Sequence, residues 1–345
     1  MVPVPRSSSS APTARPTTAP TSVLPGIAFC LFAALLALGV QQLLPAVSAL
    51  LVAILLGIVT ANVVRLPETL RPGIAVSAKR LLRLGIVLLG LSLALDDIFG
   101  LGWPVLLVVV AVVTLGLVGT VVLGRLVGVG RAQSVLIAAG FSICGAAAVA
   151  AVEGTIERED EEVANAIGLV VVFGTAMIGL APAVLALTGL APEVQGLIAG
   201  GAIHEVAQVV AAGGIIGGGA LAVAVVVKLA RVLMLAPVIL VLGLVERRRT
   251  AGAPVAGAAR PPLVPLFVAG FILAACVRTF VPLPDVAFDV AKTAQVILLS
   301  AAMFALGLGV SLAAFRRAGV RPILLGALST TLVATVATTG MLWVS

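Results

Sequence analysis

The most informative stretch of this chain is Gly200-Gly201-Ala202-Ile203-His204-Glu205-Val206-Ala207-Gln208-Val209-Val210-Ala211-Ala212-Gly213-Gly214. It contains the only histidine of 345 residues, followed directly by a glutamate, inside an apolar run long enough to cross a bilayer. An ionised group at the centre of a membrane-spanning helix costs roughly 2.5–3.5 kcal/mol, so it usually faces a partner or a water-filled cavity. Two cations, Lys228 and Arg231, lie in the next apolar segment. These four groups are candidates for one site.

The composition is that of a membrane protein. The chain is 61% hydrophobic and only 10% charged, with a mean hydropathy of +1.27, whereas a soluble domain is about 25% charged. A hydrocarbon core about 30 Å thick needs about 20 apolar helical residues. Such stretches fill nearly the whole chain, which predicts an all-α polytopic membrane protein with no room for a soluble catalytic domain.

Eleven transmembrane helices are predicted, and the seventh has the weakest apolar signal. Their ranges are 24–44, 47–64, 81–95, 103–125, 132–152, 164–187, 194–216, 220–244, 262–281, 291–312 and 322–344.

Residues 1–23 are rich in Pro, Ser, Thr and Ala, which predicts a disordered N-terminal tail. A signal peptide is the rival interpretation, because Arg6 and Arg15 precede an apolar run and small residues follow it. The run 24–44 is too long for the apolar region of a signal peptide, so we interpret it as the first transmembrane helix.

The positive-inside rule gives an orientation. With eleven spans, one side collects 16 of the 21 Lys and Arg residues, namely Arg6, Arg15, Arg65, Arg71, Lys79, Arg80, Arg83, Arg125, Arg131, Arg247, Arg248, Arg249, Arg260, Arg316, Arg317 and Arg321. The other side collects Asp96, Asp97, the acidic run 157–162, Asp285 and Asp289. We therefore expect a multi-pass protein of the inner (plasma) membrane, with a cytoplasmic N-terminus and an external C-terminus.

Other classes fit poorly. The net charge of +7 comes from basic residues scattered between apolar runs, so no nucleic-acid partner is predicted. Cys30, Cys144 and Cys276 lie inside apolar runs at spacings that suit neither disulfides nor zinc. The sequence also lacks a phosphate loop and a nucleophile with its base, so we expect neither an enzyme nor a cofactor or metal.

Internal matches predict a repeat. Comparing each span with the span five places later pairs 132–139 with 294–301 and 61–64 with 207–210. This predicts one extra helix followed by two inverted five-helix repeats, residues 46–189 and 190–345, as in secondary transporters. A competing match pairs 136–151 with 197–212, but spans five and seven would then cross the membrane in the same direction, which excludes an inverted pair.

Glycines suggest that two helices are broken. Span five carries Ser142, Cys144 and Gly145 near its centre, and span ten carries Gly307 and Gly309. A helix unwound at mid-membrane exposes backbone N–H groups that bind anions. Close helix packing through small residues is the alternative.

The ionisable groups also fall on shared helix faces. His204 and Gln208 share one face and Glu205 neighbours Gln208, while Lys228 and Arg231 share a face of span eight. The alternatives are a histidine that serves packing and cations that extend to the membrane surface. The four charges sum to +1 or +2, which a small anion would neutralise, and a histidine could couple its movement to a proton.

The chain resembles the sulfate exporter family of YeiH-like bacterial inner-membrane proteins over essentially everything after the tail. The histidine–glutamate motif is the most specific of the stretches that carry the resemblance, which are Arg80-Leu81-Leu82-Arg83-Leu84-Gly85-Ile86, Ser142-Ile143-Cys144-Gly145, Ile203-His204-Glu205-Val206-Ala207-Gln208-Val209 and Lys228-Leu229-Ala230-Arg231-Val232-Leu233.

The resemblance implies export of sulfate or a related anion. It also implies a relationship to cation/proton antiporters and bile-acid symporters, with spans five and ten as crossing broken helices. Dimers would suit those folds, although no residue here argues for a homodimer. The family commonly has an arginine where this chain has Ser92 and a serine where it has Ala147. These departures could change which anion is carried.

The leading hypothesis is a secondary transporter that exports a small anion, namely sulfate, sulfite or a sulfonate. In it, Lys228 and Arg231 attract the anion, the backbone at 142–145 donates hydrogen bonds, Glu205 orients a cation and His204 carries or gates a proton. A sodium or proton antiporter that uses Glu205 is the first alternative. A membrane enzyme or a scaffold is the second, and pairing of Cys144 with His204 would favour the enzyme.

Overall fold

The computed structural model describes residues 22–44, 47–250, 266–310 and 319–345, except the side chains of Thr250 and Asp285. These residues are mostly helical, and the described ranges contain no strand. The predicted all-α class is thereby confirmed. Of the predicted tail, residues 1–21 lie outside the described residues, as do Arg260, Arg316 and Arg317.

The helices are numbered here in chain order. They are α1 Leu24–Leu43, α2 Ala49–Val63, α3 Arg71–Val76, α4 Leu82–Gly90, α5 Leu95–Gly100, α6 Trp103–Val127, α7 Arg131–Ser142, α8 Ala146–Val152, α9 Asp160–Ala186, α10 Pro192–Ala202, α11 Val206–Ile216, α12 Ala220–Leu233, α13 Leu235–Thr250, α14 Leu266–Phe280, α15 Asp285–Leu308 and α16 Val320–Val344. A short 3-10 turn, Glu68–Leu70, precedes α3, and a π-helical turn, Ser77–Leu81, joins α3 to α4.

Six segments of the described chain are long and apolar enough to cross a bilayer: α1, α6, α9, the run Ala220–Arg249 through α12 and α13, Val286–Leu308 in α15, and α16. Their ends follow ordinary helix chemistry. At the start of α9, Glu159 and Glu162 form a capping box that satisfies free N–H groups. At the end of α6, Gly128 adopts a left-handed conformation with φ 80°, which glycine tolerates best. The length and apolar composition of the six segments indicate a multi-pass membrane protein.

Helices α7 and α8 form a hairpin, called the first hairpin (131–152). Gly140 of α7 lies against Val149 of α8, which a straight continuation of the helix would place far apart. Gly130, just before α7, lies beside the carboxylate of Glu162 at the start of α9. The chain thus enters along α7, turns at 143–145 and returns along α8 to the face from which it entered.

Helices α10 and α11 form the second hairpin (192–216). In α10, Gly196 packs on Ala220 and Gly200 packs on Ala224, so α10 runs parallel to α12. In α11, Gly213 packs on Leu221, so α11 runs antiparallel to α12. The two arms are therefore antiparallel to each other. Each arm has 11 residues, or about 16 Å of helix, which is half of a bilayer core.

The two hairpins enter from opposite faces of the bundle. Helix α9 begins beside the base of the first hairpin and its 27 residues, about 40 Å, end next to the base of the second. We call the face where α9 begins the near face and the other the far face. The tips meet between the faces, where the Ala146 N–H donates to Glu205 Oε1 over 2.9 Å.

This arrangement differs from the sequence prediction in three ways. The segments 132–152 and 194–216 are hairpins rather than single crossings, because each chain reverses at its tip. The partner of the broken segment at 142–145 is 202–206, whereas α15 is continuous from Asp285 to Leu308. The acidic run 157–162 shares the near face with Arg131, since the first hairpin returns to its own side.

Candidate functional site

The candidate site is built on the two hairpin tips. In the first tip Gly145 has φ 79° and ψ −140°, a conformation open almost only to glycine, and a Cβ there would overlap the Glu205 side chain. In the second tip, Ile203 and Glu205 are extended. Each break leaves one helix C-terminus with free carbonyl groups and one helix N-terminus with free N–H groups inside the membrane.

Arg231 of α12 is fully buried and binds the C-terminal ends of both entering arms. Its Nε and Nη2 donate to Ser142 O (3.1 Å) and Phe141 O (2.9 Å) of the first tip. Its Nη1 donates to three carbonyl oxygens of the second tip, those of Gly200 (3.2 Å), Gly201 (2.8 Å) and Ile203 (2.9 Å). The guanidinium thus ties α7 to α10 and places a positive charge at the negative ends of two helix dipoles.

Lys228 repeats this arrangement one helical turn earlier. Its Nζ donates to Ile143 O and to Ile203 O, both over 2.8 Å, and the residue is fully buried. Lys228 and Arg231 are therefore positioning residues in this state of the protein. Their donors point at backbone carbonyl oxygens and leave little for a direct contact with an anion.

Glu205 belongs to the opposite helix ends. Its carboxylate accepts from the Ala146 N–H of α8 and caps α11 through the backbone N–H of Gln208. The Gln208 side chain accepts from Glu205 N over 3.0 Å, which completes a capping box. A carboxylate thus already occupies the positive N-terminal ends of both returning arms.

His204 is fully buried and bound at both ring nitrogens. Nδ1 lies 3.2 Å from Phe141 O and must donate, because a carbonyl only accepts. Nε2 lies 3.1 Å from Thr330 Oγ1 of α16, which also lies 2.9 Å from Gly326 O. The Thr330 hydroxyl can donate to Nε2, or it can donate to Gly326 O and accept from Nε2–H. The contacts therefore accommodate both a neutral and a charged imidazole.

A central cavity of about 60 Å³ adjoins the tips, enough for a few water molecules or one small ion. Its polar lining comes from Cys144, Glu205 and Gln295. The remaining lining is apolar and comes from Leu50, Ile86, Leu89, Ala147, Val206, Ala207, Val232, Leu235, Leu299 and Met303. A ligand in this cavity can therefore contact both hairpins.

The predicted site residues fall into two groups. Cys144 and Glu205 face the cavity, whereas Ser142 and Gln208 turn away from it, toward Gly116 of α6 and Gly174 of α9. The side-chain atoms Ser142 Oγ and Gln208 Nε2 are buried and find no hydrogen-bond partner within the described structure. The structure thus gathers every predicted residue at the tips, but of these only Cys144 and Glu205 line the cavity.

Sequence reasoning missed Gln295 and Thr330. Gln295 of α15 lines the cavity, and Ser92 Oγ donates to its Oε1 over 2.8 Å. Its position inside an apolar span could have marked it as a candidate site residue, since a buried amide needs hydrogen-bond partners. Thr330 is one of several threonines in α16, and nothing in the sequence distinguishes it. Both positions where the chain departs from the resembled family, Ser92 and Ala147, touch the cavity or its lining.

In the described ranges, no three His, Cys, Asp or Glu side chains come together. The His204 nitrogens are occupied by Phe141 O and Thr330. The imidazole is thus not in a hydrogen bond with the thiol of Cys144.

Comparison with known proteins places the chain among membrane proteins. The profile of the family described as Conserved hypothetical protein 698 matches residues 25–326. A UPF0324 membrane protein of Corynebacterium glutamicum is 51% identical over 318 residues, 92% of both chains. Similar proteins of the same description occur in Pseudomonas aeruginosa, at 42% identity over 82% of both chains, and in Bacteroides thetaiotaomicron, at 37% identity over 81% of this chain and 85% of the relative.

Proposed function

We propose that this chain, which belongs to the UPF0324 family of membrane proteins, is a secondary transporter that moves a small anion by alternating access. The observation that carries the proposal is the central cavity at the meeting point of two half-membrane hairpins. Interrupted helices that meet at mid-membrane are typical of the binding sites of secondary transporters. Export of sulfate, sulfite or a sulfonate is the specific form that we propose.

The charge balance favours an anion. Lys228 and Arg231 carry two positive charges and Glu205 one negative charge, so the buried groups sum to +1 with a neutral His204. Charges act over longer distances where water is excluded, so this excess is felt in the cavity although the cations do not line it. The N-terminus of α11 borders the cavity at Val206 and Ala207, and its positive potential partly offsets the Glu205 carboxylate that caps it.

Proton coupling would involve His204. Because its two hydrogen-bond partners accommodate either protonation state, the ring can gain or lose a proton without losing a partner. The proton is gained at Nε2, and the resulting charge strengthens the Nδ1–H bond to Phe141 O, the carbonyl that also binds Arg231. Protonation would thereby alter the contacts that hold the two tips together.

The repeat is best assigned to the hairpins. We infer that the units 131–186 and 192–249, each a hairpin followed by a crossing helix, are inverted copies. The match of 136–151 with 197–212 supports this repeat. A hairpin returns to its own face and the helix after it crosses the membrane once, so the next unit begins on the opposite face and is inverted. The eleven apolar stretches then divide into nine crossings and two hairpins. Nine is odd, so the predicted cytoplasmic N-terminus and external C-terminus in the cell membrane are retained.

A sodium or proton antiporter is the second candidate, and one observation favours it. Glu205 lines the cavity directly whereas the cations do not, and the Gln295 amide next to Ser92 adds oxygen atoms of the kind that hard cations prefer. An enzyme that uses Cys144 with His204 is disfavoured because both ring nitrogens are already bound elsewhere.

The test is to replace Gln295 by glutamate, which adds a negative charge to the cavity at nearly constant shape. Sulfate and sulfite counterflow would be measured in proteoliposomes with and without a pH gradient, beside sodium/proton exchange. We expect Gln295→Glu to lower anion flux about tenfold or more, because a like charge disfavours binding by more than about 1.4 kcal/mol.

Gln42→Glu is the matched control, since Gln42 is exposed near the end of α1. It should leave anion flux unchanged. Anion flux that survives Gln295→Glu would mean that the anion does not bind in the central cavity, and absence of anion flux in the unmodified protein would overturn the anion proposal. Sodium/proton exchange that survives or increases, without any anion flux in the unmodified protein, would favour the antiporter.

A further inference from the structure

A second, smaller cavity of about 10 Å³ lies between the central cavity and the near face. Lys79, Arg83 and Glu153 line it from the outside, and the buried side chains of Leu82 and Ile86 line it from the inside. Ile86 also lines the central cavity. Ile86 of α4 therefore borders both the polar opening and the candidate binding site.

The outer cavity has an anion-attracting charge. Lys79 and Arg83 are exposed, and the Arg83 guanidinium lies 5.6 Å from the centre of the Phe267 ring. Glu153 is paired with Arg158 at 3.3 Å, which offsets its charge. The three charged lining side chains sum to +1, and the charge of Arg158 is offset because it also pairs with Asp160. The potential at this opening therefore concentrates anions and repels cations.

The backbone beside this opening is also unusual. The π-helical turn Ser77–Leu81 carries Lys79 and ends where Leu82 begins α4. Such turns are rare, occur often at functional sites and shift the faces of the helix on either side. Here the turn allows Lys79 to reach the opening while Leu82 and Ile86, one turn apart, close it.

We propose that anions pass between the near face and the central cavity through this opening, and that Leu82 and Ile86 are the gate, closed in the present conformation. The inference rests on the proposed transport through the central cavity. The opposite exit, toward the far face, would open when this gate is shut, as alternating access requires.

The test uses Cys144 as a reporter, because its thiol lines the central cavity. In a Cys30→Ala, Cys276→Ala background, membrane vesicles of either orientation are treated with an anionic or a cationic methanethiosulfonate reagent. Modification of Cys144 is followed by intact-protein mass spectrometry. The rate of Cys144 modification can be measured without any transport. A lack of anion flux would therefore overturn the proposed function without affecting the measurement of the gate.

We expect Ile86→Ala to speed modification of Cys144 from the near face about tenfold or more, because the substitution removes three buried carbon atoms from the contact that closes the gate. The rate from the far face should not change. Leu84→Ala is the matched control, because Leu84 is exposed on the same helix, and should have no effect. Ile86→Val, a smaller truncation, should give an intermediate rate if Ile86→Ala fails to fold.

The charge of the opening is tested with Lys79→Gln combined with Arg83→Gln. In the Ile86→Ala background, this pair should slow the anionic reagent about tenfold relative to the cationic one. Equal acceleration from both faces by Ile86→Ala, no acceleration in a folded protein, or an unchanged ratio of the two reagents would each overturn the proposal.

Discussion

Arg231 makes five hydrogen bonds to carbonyl oxygens of the two hairpins. A buried carbonyl that loses its donor costs about 1–3 kcal/mol. The planar guanidinium reaches five oxygens because its donors fan out in a fixed geometry, which an ammonium cannot reproduce. The positive charge is thus useful here mainly for the fold of the site.

We therefore expect Arg231→Lys to destabilise the protein by about 2–5 kcal/mol, although the charge is kept. The measurement is thermal unfolding of the purified protein in detergent. Arg125→Lys is the matched control, since Arg125 is exposed at the end of α6, and it should change the melting temperature little. An unchanged melting temperature for Arg231→Lys would mean that the carbonyl contacts are dispensable.

The sequence predicted a group of residues that the structure brings together at the tips, but not what each one binds. His204, Glu205, Lys228 and Arg231 were recognised because ionisable groups are costly in a membrane. The partners of Arg231 are backbone carbonyls 28 to 90 residues away in sequence. Every residue type has a carbonyl, so no side-chain pattern marks these positions. The charges alone therefore predicted a direct contact between the two cations and an anion.

At the scale of the helix, Gly145 decides the shape of the first tip. Its conformation is one that residues with a Cβ avoid, at a cost of about 1–3 kcal/mol. A Cβ would also overlap the side chain of Glu205, which caps α11. The first tip therefore depends on glycine for its backbone and for its contact with the second tip.

Gly145→Ala should consequently destabilise the protein by about 2 kcal/mol or more and expose the tip region to hydrogen exchange. Gly179→Ala in α9 provides the control, because a Cβ there meets open space. That change should be neutral or stabilise the helix by up to about 1 kcal/mol. Thermal unfolding and hydrogen–deuterium exchange of both variants measure the difference, and equal stability would argue against a tip shaped by Gly145.

The break at 142–145 was predicted, but the hairpins were not. The two arms and tip of the first hairpin occupy 131–152, about the length of one crossing helix, and hydropathy alone does not distinguish the two. The second tip carries no glycine between Ile203 and Glu205, so no glycine marks the position of its break. The competing match of 136–151 with 197–212 pairs the two hairpin segments, and it conflicts with an inverted repeat only if both segments cross the membrane once.

At the scale of the whole molecule, the hairpins change which loops share a face. With eleven single crossings, residues 153–159 would lie across the membrane from Arg125. In the structure, the first hairpin returns to its own side, so Glu157 and Arg125 lie at the near face. Asp96, beyond the cavity-lining part of α4, lies toward the far face in both arrangements.

Single cysteines at these three positions distinguish the two topologies. In a background with the native cysteines replaced by alanine, Arg125→Cys, Glu157→Cys and Asp96→Cys would be labelled in intact cells with a membrane-impermeant maleimide, before and after permeabilisation. All three side chains are exposed, so labelling reports on sidedness. We expect Glu157→Cys to follow Arg125→Cys and to differ from Asp96→Cys, because the chain between α7 and α9 never crosses the membrane. If Glu157→Cys instead follows Asp96→Cys, the segment 132–152 crosses the bilayer, the tips cannot meet as a pair of opposed hairpins, and the central cavity loses its basis as a transport site.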